Sequence, residues 1–247
     1  MTPTPTHSRA LELIAERSAT LRSAIAGALD APVPGCPEWT GRDLVAHLGE
    51  VHRFWAAAVA AGPAEEPPSG EDVAEREPSG DLLDWSERST EALLAALSDA
   101  GPDRGAWTWW GEPARSGAVA RHQVQEATVH AWDAEDTVGR AGALPAEIAV
   151  DGVDEFLSVG LPVSGRWPHD PASVGLLTED APNLGWRVVL TDEGGRLERG
   201  GASGDAVVRG RASDLVLALY RRRGLEPLTV DGDRELAKHF FGWFPTG

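Results

Sequence analysis

Residues 40–61 read TGRDLVAHLGEVHRFWAAAVAA, and the predicted architecture is built around them. Thr40 followed by Asp43 is the pattern of a capping box, so we expect a helix to begin here. Its apolar residues recur at helical spacing and form one stripe: Leu44, Leu48, Val51 and Trp55. A helix with a single apolar stripe buries it against other elements of the chain.

Three further helices are predicted around this one, at residues 8–29, 81–100 and 117–136. Residues 62–80 are rich in Pro, Glu and Gly and predict a loop, and residues 101–116 predict a second loop with some buried tryptophans. Four helices within the first ~140 residues, joined by loops of moderate length, predict a four-helix bundle.

The composition changes after Gly142. Short β-rich runs follow at residues 174–177, 186–191 and 206–208, and the Asp-Glu-Gly-Gly sequence at 192–195 predicts a hairpin turn. Helical spacing returns at residues 146–159, 212–222 and 234–241. We therefore expect an α+β protein, with a helical bundle at residues 1–140 and a smaller α+β domain at residues 145–247.

The composition is that of a globular protein, and its charge disfavours polyanionic partners. Lys and Arg number 22 against 39 Asp and Glu, and the net charge of −17 repels nucleic-acid backbones and anionic membranes. No apolar run is long enough to predict a membrane span, and the N-terminus lacks the pattern of a secretory signal. The single cysteine, Cys36, excludes an internal disulfide, so we expect a cytoplasmic protein.

Three side chains could bind one metal ion. Glu126 and His130 lie four residues apart on the predicted fourth helix, which puts both on one face. His47 lies on the inward stripe of the second helix, where an imidazole must find a partner. Three such ligands with one position left open are typical of a catalytic zinc site. Two simpler interpretations stay open: a hydrogen-bonded core histidine, and a surface pair of Glu126 with His130.

Neighbouring residues have weaker claims on the same chemistry. His122 lies one turn before the predicted carboxylate ligand, and a surface role is favoured for it over a ligand role. His52 is rotated away from the metal face and is expected at the rim of a pocket at most. Asp133 is a candidate to orient the imidazole one turn before it. Cys36 is expected to pack in a turn rather than to act as a nucleophile. Bundle packing is expected of three tryptophans, one of them a candidate floor of the pocket: Trp39, Trp55 and Trp132.

Two stretches resemble signatures of the mycothiol-dependent maleylpyruvate isomerase family, within the DinB-like superfamily of metal-binding four-helix bundles. They are CPEWTGRDLVAHL at residues 36–48 and EATVHAWDAE at residues 126–135. The resemblance covers most of the chain, because the family also has a smaller α+β C-terminal domain. It implies that His47, Glu126 and His130 hold a divalent metal, with zinc expected.

The resemblance also implies a catalytic arginine. The family's isomerase uses an arginine near the end of a C-terminal helix to meet the carboxylates of its substrate. The matching stretch here is LYRRRG at residues 219–224, in which Arg223 aligns best and Arg222 is its competitor. A guanidinium binds a carboxylate through paired hydrogen bonds. Alternatively, basic residues in the last turn complement the helix dipole. The functional interpretation requires the C-terminal domain to close over the metal.

The resemblance implies an enzyme that uses mycothiol as its thiol cosubstrate and a small electrophile, such as maleylpyruvate, as its substrate. A zinc-favoured thiolate would add to the activated double bond, and the adduct would either rotate and expel the thiol or be released. The motifs do not separate cis–trans isomerisation from thiol transfer. Two alternatives remain: a non-catalytic metal- or ligand-binding stress or sensor protein, and a metal-dependent hydrolase, marked by a second carboxylate from Asp133 or Glu50 near the metal.

Overall fold

The computed structural model describes residues 4–181 and 184–245. The chain divides into two compact units, one formed by Pro5–Gly142 and the other mainly by Ala143–Gly247. The first is helical, and the second combines helices with a mixed sheet, which confirms the predicted α+β class. Within the described residues, none of the helices has both the length and the apolar character needed to cross a membrane.

The N-terminal unit is the predicted four-helix bundle. Its helices are α1 (His7–Ile25), α2 (Gly41–Ala61), α3 (Leu82–Ala100) and α4 (Ser116–Thr137). The capping box at the start of α2 is confirmed: the Thr40 hydroxyl accepts from the backbone N–H of Asp43, and the Asp43 carboxylate accepts from the backbone N–H of Thr40 at 2.8 Å. The cap fixes the start of the helix that carries His47.

A short hairpin before α2 was not predicted. Strands β1 (Pro32–Val33) and β2 (Cys36–Thr40) pair antiparallel, and the backbone N–H of Gly41 donates to the carbonyl of Ala31 at 3.0 Å. The prolines of this segment predict only a helix break, and a strand of two residues is too short to show alternating hydrophobicity. Cys36 and Trp39 of β2 pack against a core cluster drawn from α1, α2 and α4.

The helices of the bundle pack in two ways. An apolar cluster lies between α1 and α4, whereas α2 and α3 approach each other closely. On α4 three small residues, Ala127, Ala131 and Ala134, face the buried leucines and isoleucine of the same cluster. On α2 the backbone at Gly49 approaches Trp85 of α3 so closely that an added Cβ would lie 2.1 Å from the indole ring. This contact leaves room for a fully buried tryptophan between the two helices.

The C-terminal unit is built on a five-stranded sheet of order β5-β4-β3-β6-β7. Its strands are β3 (Ala172–Thr178), β4 (Gly185–Thr191), β5 (Gly194–Arg199), β6 (Ala206–Gly210) and β7 (Thr229–Gly232). Only the β3–β6 pair among the described strands is parallel. The predicted hairpin is confirmed between β4 and β5, where Asp192 and Glu193 form the turn and Gly194 has a φ of 117°. Strand β7 was not predicted.

Three helices complete this unit: α5 (Ala146–Gly160), α6 (Ala212–Leu219) and α7 (Arg234–Trp243). The prediction that α6 extends to Arg222 was wrong. The backbone N–H groups of Arg222 and Arg223 both turn back to the carbonyl of Leu217, at 2.7 and 3.2 Å, and Arg221 adopts a left-handed φ of 56°. These bonds close the end of the helix and place the arginines in the turn that follows it.

Candidate metal centre

The structure brings the three predicted ligands together inside the N-terminal unit. His47 projects from α2, and Glu126 and His130 project from adjacent turns of α4. The Oε1 atom of Glu126 lies 3.0 Å from Nε2 of His47 and 3.2 Å from Nε2 of His130. One potential ligand atom from each residue lies within 4.8 Å of the other two. The interpretation of Glu126 and His130 as a surface pair is wrong, because His130 is buried.

The exposed fraction of the three side chains falls steeply across the group. It is 32% for His47, 17% for Glu126 and 7% for His130. His47 is therefore the member of the group most open to solvent, while His130 is enclosed. One accessible side is what a metal centre with an open coordination position requires.

Glu126 and His130 shift each other's pKa. Burial by itself lowers the pKa of His130, but the charge of Glu126 and hydrogen bonds to Asp133 and Glu126 outweigh it and raise that pKa to about 9. Burial by itself raises the pKa of Glu126, but the neighbouring His130 and His47 hold it well below its usual range. The arrangement therefore favours a charged Glu126 carboxylate beside a protonated His130.

Asp133 contacts the ring nitrogen of His130 that faces away from Glu126, as the sequence suggested. Its fully buried carboxylate lies 2.9 Å from Nδ1 of His130, and the thiol of Cys36 lies 4.0 Å from the same carboxylate oxygen. A carboxylate that accepts from Nδ1 fixes the ring orientation and leaves Nε2 for a metal. Cys36 thus contacts the carboxylate behind the imidazole and packs against the core cluster, which fits its predicted packing role.

Trp39 is the tryptophan that borders the group. Its ring centroid lies 4.7 Å from that of His47 and 5.9 Å from that of His130. The two imidazoles themselves meet edge to face at 4.9 Å. The hairpin before α2 brings Trp39 to this place, so the contact was not predictable without the hairpin.

Two other histidines lie where the sequence did not place them. His52, expected at a pocket rim, is fully buried, and its Nδ1 lies 3.2 Å from the hydroxyl of Thr90 on α3. It follows Leu48 by four residues and so continues the apolar stripe, a signal that could have found it. His122, expected at the surface, is buried among three indole rings, with centroid distances of 5.0–6.1 Å: Trp55, Trp109 and Trp110. The predicted loop at residues 101–116 supplies two of those rings.

The arginines carried over from the family resemblance belong to the C-terminal unit. The guanidinium of Arg221 donates to the carbonyls of Gly242 and Phe244. Arg222 donates to the carbonyl of Tyr220 at 3.0 Å, and Arg223 lies 3.1 Å from the carboxylate of Asp214. Arg222 is half-buried, and Arg223 is exposed. The bond from Arg222 to a helix-terminal carbonyl is the contact expected of the alternative interpretation, in which basic residues complement the end of the helix.

The donor set of the N-terminal group fits a zinc ion. Donor atoms held about 2.0–2.1 Å from a tetrahedral zinc lie about 3.3 Å from one another, close to the separations of 3.0 and 3.2 Å found here. Two imidazoles and one carboxylate are also a ligand set that catalytic zinc sites use. Histidine binds a metal through a deprotonated ring nitrogen, so metal binding would require Nε2 of His130 to carry no proton.

Comparisons with known proteins agree with this architecture. Two crystal structures of the mycothiol-dependent maleylpyruvate isomerase, one of them of a point mutant, resemble the chain with TM-scores of 0.62 and 0.63. They are 17% and 16% identical to it, and each alignment covers 92% of this chain and 93% of the other. This likeness shows a shared fold. No curated protein matches the chain.

Family models match both units. The model described as the mycothiol maleylpyruvate isomerase N-terminal domain matches residues 11–135, and the corresponding C-terminal domain model matches residues 147–239. The first match contains all three members of the metal-ligand group. The chain therefore belongs to the mycothiol maleylpyruvate isomerase family.

Proposed function

We propose that this protein is a metal-dependent enzyme that uses a low-molecular-weight thiol, mycothiol, to isomerise an electrophilic small molecule such as maleylpyruvate, or to transfer the thiol to it. The observation that carries the proposal is the convergence of His47, Glu126 and His130 within 4.8 Å, in a domain that the family model matches. We propose zinc as the metal because its ligand preferences fit this set.

Each residue has a defined task in this proposal. His47, Glu126 and His130 would hold the ion, which when bound supplies a Lewis-acidic position that favours the thiolate form of a thiol. Asp133 keeps His130 in the orientation in which Nε2 faces Glu126. The exposed edge of His47 leaves a path by which thiol and electrophile reach the group.

We propose that Arg223, or Arg222 in its place, meets a carboxylate of the substrate. Arg223 pairs with Asp214 at the surface, with 37% of its side chain exposed. Its guanidinium already binds one carboxylate, so it has the chemistry to bind a carboxylate of the substrate. Arg223→Ala and Arg222→Ala, assayed separately, should identify the residue, since its loss raises the KM for a dicarboxylate substrate and leaves the KM for the thiol unchanged.

The hydrolase alternative requires a second carboxylate near the metal, and neither candidate takes that position. Glu50 is exposed on α2, and Asp133 contacts the far nitrogen of His130. Among the described residues, Glu126 is the only carboxylate in the potential metal-binding group. A carboxylate that serves as a ligand is not free to act as the general base of a metal-bound water. We therefore favour thiol chemistry over hydrolysis.

The first experiment measures zinc per chain by elemental mass spectrometry on protein purified without a metal-binding tag. Wild type should contain about one zinc, and His130→Ala should lose most of it. His169→Ala, which removes an exposed histidine of the C-terminal unit, is the control for adventitious surface binding and should retain zinc. Absence of zinc from wild type after incubation with the metal would overturn the proposed site.

The second experiment assays turnover of maleylpyruvate by the zinc-loaded enzyme with and without mycothiol. Product formation that requires the thiol supports the proposal, and analysis for the trans isomer or for a stable thioether separates isomerase from transferase. Turnover without thiol would overturn the thiol-dependent mechanism. Zinc binding with no turnover of any electrophile tested would favour the non-catalytic sensor.

A further inference from the structure

The position of Trp39 suggests more than packing. It is the penultimate residue of β2, and the capped start of α2 follows it directly. Its indole contacts both imidazoles of the ligand group, with interplanar angles of 46° to His47 and 33° to His130. A packing role alone needs only apolar volume, which leucine or phenylalanine would also supply.

The indole stands on the accessible side of the group. Its centroid is nearer to His47, the most exposed of the three ligands, than to the enclosed His130. Trp39 itself is only half-buried. A ligand bound beside His47 would therefore have the indole ring as a neighbour.

The chemistry of an indole fits this location. Its face attracts cations, and imidazoles that bind a divalent ion carry part of its positive charge. The same face prefers flat π-systems in offset or edge-on contact. An indole beside an open metal position can thus both support the loaded site and discriminate between flat and puckered ligands.

We propose that Trp39 is a positioning and specificity residue, whose indole forms one wall of the site and favours flat, conjugated carboxylates over saturated ones of equal charge. This inference rests on the proposed function for the identity of the site. It adds a residue that the ligand set does not include.

The test compares two dicarboxylates on the zinc-loaded full chain by isothermal titration calorimetry. Maleate is planar and unsaturated, whereas succinate has the same charge and a flexible saturated chain. Wild type should bind maleate more tightly, by about fivefold, the size of an aromatic contact. Trp39→Leu should reduce this preference to about one, and Trp39→Phe should restore most of it.

The matched control is Trp109→Leu. Trp109 is 39% exposed in the same unit, and its ring contacts are to Trp110 and His122 instead of the ligand group. The control should keep the wild-type preference for maleate. Thermal melting and zinc content of each variant show that a changed preference does not come from unfolding or loss of metal.

A second readout does not depend on organic ligands. Co²⁺ quenches indole emission at short range, so the quenching of wild type minus that of Trp39→Phe isolates the signal of Trp39. A large difference is expected. No difference, or a maleate preference unchanged in Trp39→Leu, would overturn the inference even if thiol-dependent turnover is found. Conversely, loss of the preference in Trp39→Leu supports Trp39 even if no turnover is found and the proposed function fails.

Discussion

The carboxylate of Asp133 lies 2.9 Å from Nδ1 of His130, one turn further along α4, and both side chains are buried. A single helix thus carries two proposed metal ligands and the group that orients one of them. The spacing from Glu126 through His130 to Asp133 keeps all three on one face. Helix geometry alone aligns them.

This relationship predicts the effect of Asp133→Asn. The amide occupies the same volume but replaces a charged acceptor with a neutral one, so the orientation and basicity of His130 are held less firmly. We expect zinc affinity to fall by about tenfold or more, as measured by competition with a chromogenic chelator. Asp136→Asn, three residues further along α4, should leave the affinity unchanged. Equal affinities in wild type and Asp133→Asn would show that the contact does not support metal binding.

A second prediction concerns Gly49. Replacing a helical glycine with alanine ordinarily stabilises a helix by about 1 kcal/mol. At Gly49 the new Cβ would lie 2.1 Å from the ring of Trp85, so we expect Gly49→Ala to destabilise the protein by about 2 kcal/mol through overpacking. The control is Gly242→Ala in α7, where an added Cβ has no atom within 4 Å and the ordinary stabilisation should appear. Urea unfolding measures both, and a stabilised Gly49→Ala would contradict the α2–α3 contact.

The buried His52 predicts a dependence of stability on pH. Burial lowers its pKa to about 3 in the folded chain, whereas the unfolded chain titrates near 6.5. Between these values the unfolded state binds a proton at His52 that the folded state does not, so the contribution of His52 to stability falls as pH falls. The contribution of this one group is about 1.4 kcal/mol per pH unit.

The measurement is urea unfolding of metal-free protein from pH 6.5 to pH 5. The His52→Asn variant should lose less stability over this interval than wild type, whatever its stability at neutral pH. His169→Asn, at an exposed histidine, should keep the wild-type slope. If the free energy of unfolding depends on pH equally in wild type and His52→Asn, His52 is not a neutral buried imidazole in the folded protein.

The capping box gives a fourth prediction. Thr40→Ala removes the side-chain acceptor for the N–H of Asp43, and we expect a loss of about 1 kcal/mol in the free energy of unfolding. Thr20→Ala is the matched control, because that hydroxyl bonds to the carbonyl of Glu16 within α1, where alanine is the better helix former. A loss no larger than that of the control would mean that the box does not set the start of α2.

Elements whose signals lie within a few neighbouring residues could be predicted from the sequence. Three such signals each belong to a single helix: the cap at Thr40, the apolar stripe of α2 and the i,i+4 spacing of Glu126 and His130. Each is present in the structure as predicted. The β4–β5 hairpin followed from its glycines for the same reason. His47 was placed on the inward face because its neighbours Leu44 and Leu48 are apolar, and it is half-buried at the group it was expected to join.

The contacts between helices could not be predicted from any one element. The pairing of α2 with α4 brings His47 within 3.0 Å of Glu126, although 79 residues separate them. The short hairpin brings Trp39 into contact with both imidazoles. The bonds that end α6 at Leu219 place the three arginines in the turn after the helix instead of in its last turn. These outcomes depend on packing between distant segments and on backbone hydrogen bonds at the ends of elements. The periodicity of the sequence indicates neither the packing nor these hydrogen bonds, because both form only when distant segments of the chain fold together.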